Sequence, residues 1–200
     1  AGVAHEVNNP LSSISAFAQL LLRDDDLTPA HRESIEVIRA ETIRASQVVK
    51  DLLTFARRSE PQREPLDLNS VVTRTLRLRQ YQFAEASVRV RQELSPELPA
   101  VLGDARQLQQ VCLNLVTNAV HAMPQDRSEP GIITLRTCTE GADMVRVEIQ
   151  DNGSGIPADV LPKIFDPFFT TKEIGKGTGM GLSISFKIIQ EHGGRILVDT

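Results

Sequence analysis

Six glycines between residues 153 and 181 carry the first chemical signal of this chain. Asp151-Asn152-Gly153-Ser154-Gly155 is an acidic turn, and Gly175, Gly177, Gly179 and Gly181 form a second cluster beyond a spacer holding Phe165, Phe168 and Phe169. Lacking a Cβ, such residues can take positive φ and let the backbone lie against a ligand, where successive amide N–H groups cradle phosphates. Gly179-Met180-Gly181-Leu182 runs into the apolar-periodic residues Leu182, Ile184, Ile188 and Ile189. The spacing predicts a helix whose free N-terminal N–H groups and positive dipole end attract anions. Binding of a triphosphate is the chemistry that fits. The motif is neither G-x-x-x-x-G-K-[ST] nor G-x-G-x-x-G after a strand, so neither a P-loop nor a Rossmann site is expected.

Two other groups of residues have chemistry of their own. Between Gln107 and Met123, Leu108, Val111, Leu115 and Val116 recur at helical spacing, and Asn114 and Asn118 stack four residues apart on one face. Asparagine is a poor residue in the middle of a helix, and two carboxamide oxygens there can meet a cation. Mg²⁺ prefers oxygen ligands and is usually shared between one or two protein groups and substrate phosphates. Near the start of the chain stands Ala4-His5-Glu6-Val7-Asn8-Asn9-Pro10-Leu11. An imidazole, substantially neutral near pH 7, offers a lone pair to a phosphoryl group. Glu6 could hold the opposite ring nitrogen as its N–H, as an orienting group does for an activated nucleophile. Asn9 falls one helical turn after His5, and Pro10 predicts a kink. The other three histidines read as structural or solvated: His31 near a helix start, His121 on the asparagine helix, with a nucleotide contact left open, and His192 at a helix end that favours a cation.

These motifs together resemble the sensor histidine kinases of two-component systems. The run from Asp151 to Leu182 resembles the G1, F and G2 boxes of the Bergerat-type ATP-binding domain, shared with gyrase B, heat-shock 90 chaperones and mismatch-repair ATPases. The asparagine helix resembles the N box, and His5 to Leu11 resembles the H box, which gyrase-like ATPases lack. The resemblance implies ATP and Mg²⁺ as cofactors, with Asn118 as the metal ligand and Asn114 beside the phosphates. It implies Asp151 as a buried acceptor for the adenine amine, and Gly153, Gly155, Lys172, Gly175, Gly177, Thr178, Gly179, Gly181 and Leu182 as nucleotide-binding residues. Lys176 is a further phosphate candidate, and the phenylalanines anchor a lid or belong to the core. The implied reaction phosphorylates His5 from ATP, assisted by Glu6, and passes the group to an aspartate on a response regulator receiver domain. Asn9, in the Glu-x-x-Asn pattern, implies response-regulator phosphatase activity.

The elements that must position these residues are legible from periodicity. Val3, Val7, Leu11, Ile14, Ala18 and Leu21 form a helical stripe to about Arg23, followed by a polar turn and a fresh start at Thr28-Pro29. Ile35, Ile38, Thr42, Ala45, Val49, Leu52 and Ala56 alternate three and four residues apart, a seam of coiled-coil type. One hairpin cannot bury that seam on both sides, so a homodimer with a four-helix bundle is expected. Arg57 to Pro65 is charged and broken by two prolines, marking a boundary. The expected fold class is α+β: residues 1–60 form a helical hairpin for dimerisation and histidine phosphotransfer, and residues 61–200 a Bergerat-type α/β sandwich. Strands are predicted at Leu66–Leu68, Val88–Arg91, Ile132–Thr137 and Met144–Ile149, with a helix from Asn69 to about Ala86.

Two hundred residues with 40% hydrophobic content suffice for two small domains. A formal charge of −4 argues against nucleic-acid binding. Cys112 and Cys138 show no metal spacing and suit a reducing compartment. No apolar run reaches membrane length. This stretch is expected to make no membrane contact and to be cytoplasmic, with the full-length protein open to membrane anchoring. The chain reads as a catalytic fragment lacking the last strands of its ATP domain. Two functions of other classes fit parts of the pattern: an ATP-binding conformational switch, which would need no His5, and a dimerisation module without kinase activity.

Overall fold

The computed structural model describes residues 2–56, 62–123, 130–141, 143–172 and 177–200. They form two compact units, one comprising residues 1–58 and 166–180, the other residues 59–165 and 181–200.

The first unit is built on a helical hairpin. Helix α1 spans Gly2–Leu21 and α2 spans Pro29–Ala56, with Pro29 at the first helical position as its fixed φ favours. Thr28 Oγ1 accepts from the His31 amide at 3.3 Å, capping α2. Arg32 secures the turn: Nη1 donates to the Leu22 carbonyl at 2.9 Å and Nη2 to the Asp24 carbonyl at 3.0 Å. These carbonyls lie at and beyond the end of α1, where intrahelical donors run out. Arg32→Ala should therefore destabilise the hairpin by about 1–2 kcal/mol, seen as a lower melting temperature; an unchanged melting curve would refute that role. Only part of the apolar stripe is covered within the hairpin. Ala18 and Thr42 are buried, whereas Val7, Ile14, Leu21, Ile38 and Leu52 remain exposed, Ile38 to 51%. Pro10 lies inside one continuous α-helix.

The second unit layers three helices on a small mixed sheet. Strand β1 (Glu64–Leu66) pairs antiparallel with β3 (Val101–Gly103). Helix α3 (Leu68–Glu85) begins one residue after the Asp67 cap, whose Oδ1 takes the Asn69 amide and Oδ2 the Ser70 amide. The expected strand at Leu66–Leu68 thus sits two residues too late, because the Asp67 carboxylate is a stronger local signal for a helix start than for a strand. Strand β2 (Val88–Leu94) lies parallel to β4 (Gly131–Glu140), which pairs antiparallel with β5 (Met144–Asp151), giving the order β2-β4-β5. Helix α4 (Ala105–His121) packs on β4 and β5, α3 on β2 and α4, and α5 (Gly181–Glu191) on α4. A 3₁₀ turn, Leu161–Lys163, precedes Phe165.

Alternation along the strands sets the two faces. Ile133 and Leu135 are fully buried, and Thr137 nearly so. Opposite them, Arg136 donates to Glu93 across the parallel pair and lies 3.6 Å from Glu148 across the antiparallel one. Beneath the helices a polar triangle closes the loop after β2: Thr137 Oγ1 donates to Asn69 Oδ1 at 2.7 Å, Asn69 Nδ2 to the Ser95 carbonyl at 2.7 Å, and the Ser95 amide to Thr137 Oγ1 at 3.0 Å. Each polar group is satisfied by another, as half-buried groups require. Cys112 on α4 is buried, and burial pushes its thiol up to about 11 by disfavouring the thiolate. An alkylating reagent at pH 8 should accordingly leave Cys112 intact and modify at most Cys138, so two labelled sites in the folded protein would contradict the packing.

Candidate functional site

Helix α4 is the element on which the sequence motifs converge in the second unit. Its N-terminus is set by Asp104, whose Oδ1 accepts from the amides of Arg106 and Gln107 at 2.9 and 3.1 Å. From there Val111, Cys112, Val116 and Ala119 face the core, which turns Asn114 and Asn118 to the neighbouring, half-buried side. Asn114, Asn118 and Ala122 follow at intervals of four and lie along one face.

Both ends of that face receive a glycine segment. At the first, Asn114 Nδ2 donates to the Gly181 carbonyl at 2.9 Å and lies 3.2 Å from Ser185 Oγ, which itself donates back to Gly181 at 2.8 Å. Asn114 thus fastens the start of α5 to α4. At the second end, the Ser154 amide donates to the Ala122 carbonyl at 3.1 Å. A Cβ on Gly153 would lie 2.7 Å from the Ala122 carbonyl oxygen and 2.7 Å from Asp151 Oδ1. Asn118 sits midway, one helical turn from each glycine contact.

Asp151 closes the third side. It ends β5 opposite Ile133, and so shares the sheet face that α4 covers. Its Oδ1 accepts from the Gly153 amide at 2.8 Å, holding the turn. Asn152 completes the corner, with its Oδ1 taking the Ile132 amide at 2.7 Å. The expectation of a buried carboxylate is corrected, since Asp151 is exposed. The reason is its position at the last residue of an edge strand, where the chain leaves the sheet. Gly155 adopts φ +70° and packs against Thr200, whose Oγ1 accepts from the Ile156 amide at 2.6 Å.

Leu182 is the second residue of α5, and apart from Phe165 the remaining predicted residues belong to the first unit or fall outside the described residues. Gly179 has φ +66°, and a Cβ there would lie 2.4 Å from the Phe168 carbonyl carbon, so the glycine is required by space and by conformation. Phe168 is itself left-handed, at φ +68°, and exposed, a strained conformation for an aromatic residue. Thr178 Oγ1 lies 3.4 Å from the Met180 amide, which it accepts, and Gly177 packs on Thr170 and Lys172. Partial burial holds the Lys172 amine below its usual range. Phe165 belongs to the second unit and packs, half-buried, against Phe186 of α5, with ring centroids 4.9 Å apart and planes tilted by 34°. Gly175 and Lys176 lie outside the described residues. His5 lies within α1 although its side chain is outside the described part, and Glu6 and Asn9 are exposed on the same helix.

Three participants were not anticipated. Ser185 joins the Asn114 clasp, and Asp104 and Ala122 set the two ends of α4. Only Asp104 had a sequence signal, an Asp directly ahead of an apolar-periodic run. His192, expected to be structural or solvated, is structural: its Nε2 accepts the Asp104 amide 3.0 Å away, and its Nδ1 donates to the Ile188 carbonyl at 2.8 Å. Accepting at one nitrogen and donating at the other requires the neutral ring.

A helical hairpin joined to an α/β layer, with one long helix receiving two glycine turns, defines a two-part protein carrying a glycine-lined, helix-bounded site. Residues 103–200 match the family of histidine kinase-, DNA gyrase B- and HSP90-like ATPases, and residues 1–61 match the His Kinase A (phospho-acceptor) domain. Among curated proteins the chain is 40% identical over 198 residues to the signal transduction histidine-protein kinase AtoS of Escherichia coli (strain K12), covering 99% of this chain and 31% of that protein. It is 39% identical over 213 residues to the sensor kinase CckA of Brucella abortus (strain 2308), covering 100% and 22%. The chain spans less than half the length of these relatives. Among solved structures, the nucleotide-free catalytic domain of histidine kinase ThkA is 33% identical with a TM-score of 0.54, covering 65% of this chain and 82% of that one. Full-length ShkA in complex with AMPPNP superposes with a TM-score of 0.75 at 26% identity, covering 96% and 40%. ThkA in complex with the response regulator protein TrrA gives 0.65 at 30% identity, covering 97% and 54%. This chain belongs to the sensor histidine kinases. Among the described residues no helix is long and apolar enough to cross a membrane.

Proposed function

We propose that the chain is the catalytic core of a two-component sensor kinase, transferring the γ-phosphoryl group of ATP to His5 and thence to an aspartate on a response regulator receiver domain. The observation that carries this reading is the convergence of both glycine segments on α4, with Asn118 one turn from each contact. The AMPPNP complex of ShkA and the TrrA complex of ThkA support the nucleotide and the partner. In this reading residues 1–60 carry the acceptor and residues 61–200 the nucleotide site.

Each residue then has a task. Asp151, exposed at the mouth of the turn, accepts from the adenine amine, and the Gly153 and Gly155 segment lies under the purine. Gly177, Thr178, Gly179, Gly181 and Leu182 present amides to the phosphates, with Lys172 as a charge partner and Gly175 as part of the same run. Asn114 holds α5 in place for this. The donor set suits magnesium shared with the nucleotide: among the described residues no group of three or more His, Cys, Asp or Glu could hold a metal ion, while Asn118, on the half-buried side of α4, carries one neutral carboxamide oxygen. Bound there, Mg²⁺ would neutralise phosphate charge, and positioning would supply most of the catalysis. Glu6 orients His5 as its base partner, and Asn9 positions water for dephosphorylating the regulator.

The exposed stripe Ile14, Leu21, Ile38 and Leu52 supports a homodimer, because a second hairpin would remove it from water. Incubation with γ-labelled ATP and magnesium should place an acid-labile label on the chain. An acid-stable label, or none, would rule out the autokinase.

A further inference from the structure

We propose that His192 is a positioning residue for the nucleotide site, joining the far end of α5, the cap of α4 and the residues directly ahead of β1 at one junction. This rests on the nucleotide-site reading above and names a residue that acts on that site from a distance. Four contacts meet there. His192 Nε2 accepts the Asp104 amide at 3.0 Å, and its Nδ1 donates to the Ile188 carbonyl at 2.8 Å. Asp104 Oδ2 takes the Gln62 amide at 3.1 Å, and Arg63 donates from its guanidinium to the carbonyl of Glu191, the last residue of α5. Gly103 leaves room for the ring: a Cβ there would lie 3.1 Å from His192 Cδ2.

The consequence follows from the helices. Helix α5 is a rigid rod of about 16 Å at 1.5 Å per residue, with Gly181 at one end and the junction at the other. Asn114 fixes the Gly181 end of α5 to α4, and His192 fixes the opposite end to the residue that caps α4. With α5 already packed on α4, these two fastenings fix its direction, and with it the aim of its N-terminal amides; loss of one lets that direction shift. Gln62 and Arg63 precede β1, which zips onto β3 directly ahead of Asp104. Displacement of Gln62 and Arg63 therefore pulls on α4 and α5 together.

The test uses the full chain with Mg²⁺ and a fluorescent non-hydrolysable ATP analogue, and follows melting in parallel. His192→Ala should weaken nucleotide affinity about tenfold. His192→Gln, whose side-chain oxygen can still accept the Asp104 amide, should recover most of it. Arg63→Ala, at an exposed residue whose loss spares the core, should weaken affinity about threefold with little change in melting temperature. Label transfer at saturating ATP should fall less than affinity, placing the effect in KM rather than kcat. Unchanged affinity in both His192→Ala and Arg63→Ala, or a Gln variant as impaired as Ala, would overturn the proposal. If His192→Ala does not fold, the Gln and Arg63 variants decide alone. Failure of the unsubstituted chain to bind the analogue would instead overturn the nucleotide site itself.

Discussion

Replacement of His5 by Gln should reduce the acid-labile label acquired from γ-labelled ATP by roughly a thousandfold or more, to background, because no other group takes over once the nucleophile is removed. Gln keeps the polarity and approximate reach of the side chain on α1 but has no basic lone pair at the ring nitrogen position. Nucleotide binding measured on the same preparation distinguishes the loss of a nucleophile from the loss of a pocket. The residues that converge on α4 belong to the other compact unit, so binding should persist. A label of undiminished size in His5→Gln would move the acceptor elsewhere and remove the central step. Asn9→Ala, one turn further along α1, should keep the label while losing dephosphorylation of a phosphorylated regulator.

Gly153→Ala should weaken nucleotide binding roughly tenfold to a hundredfold, the range into which overpacking of about 1–3 kcal/mol converts. The added methyl would lie 2.7 Å from the Ala122 carbonyl oxygen and 2.8 Å from the Ala122 Cβ. That carbonyl is the acceptor for the Ser154 amide, so it cannot retreat without releasing the turn. On its other side the methyl meets Asp151 Oδ1, which the Gly153 amide holds. The substitution therefore displaces the turn and the proposed adenine acceptor together. Gly141→Ala is the matching control. Gly141 has φ +67° but nothing within 4 Å of an added Cβ, so its replacement should lower stability by about 1–2 kcal/mol through backbone strain alone and leave nucleotide affinity untouched. Equal affinities for Gly153→Ala and the parent chain, measured by titration, would remove the turn from the site.

Much of this architecture is local and was therefore legible. The hairpin follows from apolar periodicity and a Thr-Pro start, and α4 from a run whose buried positions recur at helical spacing. Strands β4 and β5 alternate because one face, buried in β4 and half-buried in β5, lies against α4 while the other carries Arg136 and Glu148. Strand β3 was not anticipated: three residues, Val101–Gly103, have no period to detect, and they are a strand only because β1 lies beside them. The strand ahead of α3 was expected two residues too late, at a point where the Asp67 cap outweighs apolar alternation.

The site divides along the same line. The sequence by itself determined which residue types stand at which spacing: the glycines, the paired asparagines, Asp151 and His5. Those choices are chemical and survive in one dimension. Only the tertiary structure decided how they are held. Asn114 fastens α5 through its amide nitrogen, Ala122 defines the room available to Gly153, and His192 joins the cap of α4 to the end of α5. These are contacts between residues 31 to 88 positions apart, and no local pattern encodes them. Whether a polar side chain faces water or a backbone amide depends on which element the fold brings alongside it.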